Sequence, residues 1–410
     1  MNINLNRWKY PTILLFGIGV STIGAWIYLI SLNLLVLNMT GSPLAVAALY
    51  ILGPLATLTT NVWAGSVIDR VNKRNLMVYL DIFRALLIFV LPYLNSLPFM
   101  FVLVFIINMG NSIFKPTSMT YIAKLIPTEQ RKSYNALYSL INSGAFLIGP
   151  AIAGILFIVS TPVVAIQLNA IALFISGLIT LLMPNIEKHT IVKSSDSKLS
   201  VELLKKDWKT VYHFSKNNVR TVVIYFLFSF VMVVMATALD SLEASFSKEV
   251  LHLSDSEYGF LVSIAGAGIL VGASINTFIV NKLSTPTLIG LGSVVVSVGY
   301  LVYAFSESFF IAALGFFILA SFIAFANTGF MTFYQTNVPT DVMGRIGSIY
   351  GVFEALLIMM ATLSFGLVAQ LISIRFIVIT GSIVMLTVAV ILNMYMFKSV
   401  KVKLSVGIKQ

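Results

Sequence analysis

The chain contains no cysteine, which removes disulfides, thiol nucleophiles and thiolate metal sites at once. Histidine is scarce. His189, His213 and His252 are the only three, and each falls in or beside an expected loop, so no imidazole relay threads an apolar stretch. Charge is thin as well: 10% of the 410 residues are Asp, Glu, Lys or Arg, against roughly 25% in a soluble domain. No Gly-x-x-x-x-Gly-Lys-Ser/Thr stretch occurs, so there is no phosphate-cradling loop to harness a nucleotide. No carboxylate cluster has metal-ligand spacing either. An enzyme is not expected, nor a metal site, nor any cofactor.

What fills the chain instead is apolar surface: 58% of residues are hydrophobic and the mean hydropathy is +0.96. Apolar runs of about 20 residues, the length that crosses a bilayer, recur along nearly the whole chain. Twelve are expected, at 11–37, 43–68, 75–97, 99–123, 134–160, 162–184, 221–245, 257–281, 286–306, 308–333, 344–371 and 376–398. The first is too long for the core of a cleaved signal peptide. Short uncharged links such as "NMTGSP", "NSLP" and "STP" separate some of them, as turn chemistry prescribes. The expected fold is all-α and integral to the membrane.

A net charge of +11 invites a nucleic-acid reading, but the placement of the basic residues opposes it. Arg7, Lys9, Arg70, Lys73, Arg74, Lys124, Arg131, Lys132, the lysines and Arg220 of 185–220, Lys282, Arg345 and the tail lysines all fall on one side of the expected topology. Lys248 and Arg375 fall on the other. The positive-inside rule then puts both termini and the 185–220 segment in the cytoplasm, with the chain multi-pass in the cell (plasma) membrane. The bilayer, with some attraction to anionic lipid, is the partner of this charge; nucleic acid is not.

Sliding the chain against itself by 212 residues sets "MTYIAKLIPTE" (119–129) over "MTFYQTNVPTD" (331–341), Tyr138 over Tyr350, Gly154 over Gly366 and Asp69 over Asn281. One ungapped offset across several spans marks two six-helix pseudo-repeat bundles. The expected organisation is an N-terminal six-helix bundle over 1–184, a cytoplasmic linker over 185–219 and a C-terminal six-helix bundle over 220–410. A surface helix from about Ser200, with Trp208 at the headgroups, is one form the linker can take. Parallel halves around a midplane cavity suit alternating access.

Two motifs carry a resemblance. "GSVIDRVNKR" resembles the loop 2–3 motif of the major facilitator superfamily, Gly-x-x-x-Asp-Arg-x-Gly-Arg-Lys, through Gly65, Asp69, Arg70, Lys73 and Arg74. Asn72 stands where the motif has its second glycine, and a left-handed turn is expected there because asparagine tolerates it. "GAFLIGPAIAG" resembles the fifth-span motif of drug:proton antiporters through Gly144, Gly149, Pro150 and Gly154. "TGSPLAVAAL" and "FKPTSMTYIAKLIPTEQRKSYNAL" are similar to the macrolide-efflux branch. The resemblance implies the major facilitator fold with twelve transmembrane helices. It also implies a conformational latch at Gly65, Asp69, Arg70, Lys73 and Arg74, with Asp69 facing the start of the eleventh span near Gly344.

Ionisable groups within spans cost at least roughly 2.5–3.5 kcal/mol at the bilayer centre, so each is a functional candidate. Glu354, about ten residues into the eleventh span, is a candidate for proton coupling, since burial favours the neutral form of a carboxyl. Asp240 and Glu243 are three apart near the outer end of the seventh span, expected on one helix face; they are proton candidates or water-facing residues. Asp81 and Arg84, also three apart, read as a structural ion pair. Lys115, before Pro116 in the fourth span, is a candidate for holding an anionic substrate group, with snorkelling as the competing reading. Trp26 is the aromatic cavity candidate.

The combined expectation is a monomeric secondary exporter that antiports protons, or sodium, against amphipathic drugs or antibiotics. The alternatives are a dedicated exporter of an anionic natural cargo, such as a siderophore, peptide or metabolite, and an importer.

Overall fold

Serine, asparagine, glycine and proline set the helix ends. The first helix, Leu5–Thr40 (α1), stops at Gly41, whose φ of +58° suits a residue without a Cβ. Pro43–Arg70 (α2) follows an N-cap in which the Ser42 hydroxyl accepts from the Ala45 N–H. Asn72 caps Lys73–Val90 (α3) in the same way, accepting from the Asn75 N–H. Its φ is −67°. The left-handed turn expected at Asn72 is therefore not used: the side chain is retained as a cap, a task the glycine of the motif cannot perform. Leu97–Leu125 (α4), Thr128–Val159 (α5) and Pro162–Leu181 (α6) complete the first half.

The computed structural model describes residues 5–187 and 201–407. Val201–Asn217 (α7) is a strongly amphipathic helix. It is followed by Val219–Asp240 (α8), Asp255–Ile279 (α9), Thr285–Ala304 (α10), Phe309–Asn337 (α11), Thr340–Leu371 (α12) and Ile374–Gly407 (α13). Within α8 the segment Phe230–Met235 is wound as a π-helix. Among the described residues, twelve helices are long and apolar enough to cross a membrane; α7 is not one of them. Their outer faces keep large apolar side chains uncovered, with Val159, Phe278 and Phe310 exposed by 80%, 81% and 83%, which lipid tolerates and water does not.

Two differences from the expected boundaries bear on function. The seventh span ends at Asp240 and the chain turns at Ser241–Leu242 before a short helix, Glu243–Ser245. The eleventh span begins at Thr340 rather than near Gly344.

The chain packs as two units. Unit 1 comprises residues 1–45, 49–196 and 254–263, and unit 2 comprises 46–48, 197–253 and 264–410. In unit 1, α1 packs on α5 and α6, and α3 on α4 and α6. Leu14, Met77, Tyr121, Tyr134 and Met183 form one of its buried clusters. In unit 2, α10 packs on α11 and α13, and Ile224, Phe228, Ile289, Phe333 and Leu392 lie in a common core. Both flanks of the 185–219 stretch are docked. Residues 183–187 pack on unit 1, while α7 lays Val211 and Phe214 against Tyr225, Ile346 and Tyr350 in unit 2.

Candidate functional site

The polar chemistry of unit 1 centres on α3 and α4. Arg84 forms an ion pair with Asp81, as an i,i+3 pair on one helix face can. Both are buried, at 5% and 0% exposure. The Ser176 hydroxyl donates to the other Asp81 oxygen at 3.0 Å, and Arg84 Nε donates to the Leu80 carbonyl at 3.1 Å. The Arg84 stem runs across Gly110, where a Cβ would meet it at 3.0 Å. Its guanidinium lies 4.6 Å from the Phe114 ring centre and donates to Asn111 Oδ1. Asn111 in turn lines a cleft of about 490 Å³ between α2 and α4, with Gly53, Thr57, Asn108, Ser112 and Lys115. The buried pair therefore reaches the cleft wall through one amide.

Lys115 lies about 15 Å from the Leu125 end of α4 and also lines a second cleft of about 350 Å³ with Tyr134, Asn135 and Tyr138. Among the described residues, no carboxylate lines either cleft. Asn108, Asn111, Ser112 and Lys115 recur at helical spacing, so this polar stripe is visible in the sequence, although only its lysine stands out there as a charge in a span.

The fifth-span motif is a packing seam. A Cβ on Gly149 would come within 2.6 Å of Trp26 Cβ and 3.0 Å of the Ile23 carbonyl, so α1 touches α5 backbone to backbone there. Trp26 packs edge-on to Phe146 with ring centres 4.2 Å apart and lines neither cleft. Gly154 abuts the Ser256 carbonyl and Gly259 in the first turns of α9, which belong to unit 1. Gly144 has open space around its Cβ position. Pro150 lies inside α5.

Of the loop 2–3 motif, Gly65, Asp69 and Arg70 belong to the last turns of α2, and their side chains lie outside the described residues. Lys73 and Arg74 are placed. Glu187, which in the sequence looks like one more loop charge, gathers the Lys73 N–H at 2.8 Å, Lys73 Nζ at 3.3 Å and Lys124 Nζ at 2.6 Å. Beside it Arg74 donates to the Met183 carbonyl at 3.0 Å, Asn72 to Asn185 at 2.6 Å and the Tyr121 hydroxyl to the Pro184 carbonyl at 2.8 Å. Burial pushes the Glu187 carboxyl up, but the hydrogen bonds from Lys124 and Lys73 outweigh it and hold the group below its ordinary value.

In unit 2, Glu354 sits about 21 Å along α12 from Thr340, close to the helix midpoint. It accepts from the Ser229 hydroxyl, the residue just before the π-helical segment of α8, and its carboxyl interacts electrostatically with the nearby Tyr225. Tyr225 packs against Tyr350 and Tyr334 at 4.9 and 5.8 Å between ring centres. The Tyr350 hydroxyl shares a hydrogen bond of 2.8 Å with Ser215 on α7. Tyr350 surfaces in the internal repeat; Ser229 and Tyr225 carry no sequence signal, because only folding brings α8 against α12. Asp240 closes α8 and Glu243 opens the next short helix, with the turn at Ser241–Leu242 between them. Tyr300 donates to Asp240 at 2.8 Å, and Tyr303 donates to the Glu243 carbonyl at 3.3 Å.

Twelve apolar spans with buried charge tied to interior hydroxyls and amides describe a polytopic protein that handles polar groups inside a bilayer. The family model of the Major Facilitator Superfamily matches residues 14–362. The chain belongs to the major facilitator superfamily. Among its relatives, the uncharacterized MFS-type transporter YfiS of Bacillus subtilis (strain 168) is 23% identical over 340 residues, covering 80% of this chain and 79% of YfiS. The crystal structure of the nucleoside transporter NupG superposes with a TM-score of 0.74 at 13% identity, covering 95% of this chain and 99% of that one. A bacterial homologue of the iron transporter ferroportin, in its inward-facing state, gives a TM-score of 0.70 at 17% identity, covering 95% and 98%. This major facilitator protein is thus a secondary transporter of small molecules, multi-pass in a membrane, and not an enzyme.

Proposed function

We propose that the protein is a proton-coupled exporter of amphipathic drugs or antibiotics, resident in the cell membrane with both termini cytoplasmic. The observation that carries this reading is Glu354. A carboxyl at the middle of a spanning helix, held by the Ser229 hydroxyl beside Tyr225, has a donor for its charged form, while the bilayer interior penalises that same charge. That is the balance a group needs to load a proton in one conformation and lose it in another. The seam at Gly149 and Gly154 supports it, since small residues let helices approach and slide closely. In this reading Gly65, Asp69, Arg70, Lys73 and Arg74 latch one conformational state, and Asp240 and Glu243 are the second-choice carboxylates.

The deciding experiment is dye and antibiotic efflux from proteoliposomes carrying wild type or Glu354→Gln, with and without an imposed pH gradient. Gradient-driven efflux that Glu354→Gln abolishes while substrate still binds supports antiport through Glu354. Efflux that survives the substitution overturns it. A second reading, export of an anionic natural cargo, draws on the Lys115 cleft: an ammonium in a span, with no carboxylate among the described residues that line either cleft.

A further inference from the structure

The cleft between α2 and α4 has a readable hydrogen-bond polarity. Asn111 gives its Oδ1 to Arg84, which fixes the amide so that its NH₂ is the face left to the cleft. A guanidinium has no acceptor to offer, so the reverse orientation would set donor against donor. Lys115 follows Asn111 by one helical turn, and its ammonium is a donor of fixed sign. Asn108 is oriented the other way: its Nδ2 donates to the Val104 carbonyl at 2.9 Å, and its Oδ1 points toward Gly53, 3.9 Å from where a Cβ would stand.

The two hydroxyls follow Asn108. Ser112 donates to the Asn108 carbonyl at 3.0 Å, and Thr57 lies 3.0 Å from both the Gly53 carbonyl and Ser112. Each hydroxyl has one proton, and protein acceptors take both, so Thr57 and Ser112 present lone pairs to the cleft. Two of the lining groups, Asn111 and Lys115, therefore only donate hydrogen bonds, and Lys115 carries positive charge. Three others, Asn108 with Thr57 and Ser112, are fitted to accept them.

We propose that this cleft selects a small organic anion carrying a hydrogen-bond donor, hydroxyl or amine, about 5–10 Å from its carboxylate, the axial separation along α4 of Asn108 from Asn111 and from Lys115. Asp81 and Arg84 act as positioning residues, since they hold the Asn111 amide in its donating orientation without touching the ligand. Met119 at the rim and Pro116 supply apolar surface for the atoms between the two polar groups. The inference rests on reading the cleft as the cargo's recess, the second reading above, and deepens it.

Three matched probes test it on the full-length purified protein: ω-hydroxyhexanoate, hexanoate, which lacks the donor, and ω-hydroxyhexanamide, which lacks the charge. Binding is measured by titration calorimetry. Wild type should bind ω-hydroxyhexanoate at least tenfold tighter than either of the others. Lys115→Met should erase the preference for carboxylate over amide, and Thr57→Val or Asn108→Leu the preference for hydroxyl over hydrogen. Equal binding of the probes, no binding of any, or a preference that survives these substitutions overturns the assignment. Displacement of the probe by added phosphatidylglycerol also overturns it, by giving the same chemistry to a lipid headgroup. Efflux with and without Glu354→Gln in parallel proteoliposomes separates the two ideas. Gradient-driven efflux without probe selectivity leaves the exporter standing and removes the cleft; selectivity without gradient-driven movement does the reverse.

Discussion

Removing either member of the Asp81–Arg84 pair should damage the fold far more than removing both. Asp81 is fully buried and Arg84 nearly so, and between them they hold Ser176, Leu80 and Asn111. Arg84→Met leaves a buried carboxylate with Ser176 as its one remaining partner from this set; Asp81→Leu leaves a buried guanidinium. Breaking a buried pair costs about 3–5 kcal/mol, because the surviving charge is uncompensated, and this corresponds to roughly a hundredfold to a few thousandfold in the folding equilibrium. The two losses should not be equal. An abandoned carboxyl can bind a proton and stay buried as a neutral acid, whereas a guanidinium does not shed its charge in proteins. Asp81→Leu should therefore be the worse of the two. The double variant removes both charges and should lie within about 1 kcal/mol of wild type, since replacing a buried pair by apolar residues is often neutral or stabilising. Thermal and denaturant unfolding of the four proteins in one detergent, arranged as a double-mutant cycle, gives the coupling directly. Additive single effects would refute the argument, and so would a double variant worse than either single one.

Other outcomes follow from the same physical terms. Gly149→Ala pushes a methyl into Trp26 and the Ile23 carbonyl and should cost about 1–3 kcal/mol by overpacking. Gly144→Ala meets open space and should gain about 0.5–1 kcal/mol from helix propensity; melting temperatures of the two variants check the contrast. Ser229→Ala removes a hydrogen bond from Glu354 and should slow gradient-driven transport roughly two- to tenfold, at about 0.5–1.5 kcal/mol. Glu187 is depressed below its ordinary value of 4.5, so its contribution to stability is full above about that pH. The contribution is lost as pH falls through the lower folded value, when Lys73 and Lys124 lose their partner. A melting temperature followed from neutral pH down into that window should drop more steeply in wild type than in Glu187→Gln.

The spans are legible because bilayer thickness writes itself into the sequence as uninterrupted apolar length. The i,i+3 spacing of Asp81 and Arg84 likewise puts the two on one face, whatever surrounds the helix. Tertiary partners are not legible. Nothing local marks Asn111 as the amide that Arg84 reaches, Ser176 as the donor to Asp81, or Ser229 as the group that holds Glu354, because each comes from a different helix. Glu187 looks like solvent-facing charge; its meaning depends on α6 ending beside Lys73 and Lys124.

The π-helical segment Phe230–Met235 has a consequence for how this chain tolerates change in length. Such a segment is a helix with one residue to spare, accommodated between two ordinary stretches. Deleting one residue elsewhere in a span swings everything beyond it by about 100° and turns a lipid-facing side chain toward the interior. Deleting one residue from 230–235 instead removes the spare, so that Ser229 can keep its place at Glu354 while Asp240 keeps its place at Tyr300. α8 thus carries slack at one point along its length, where a frame of the helix can be lost or moved without disturbing what either end is holding.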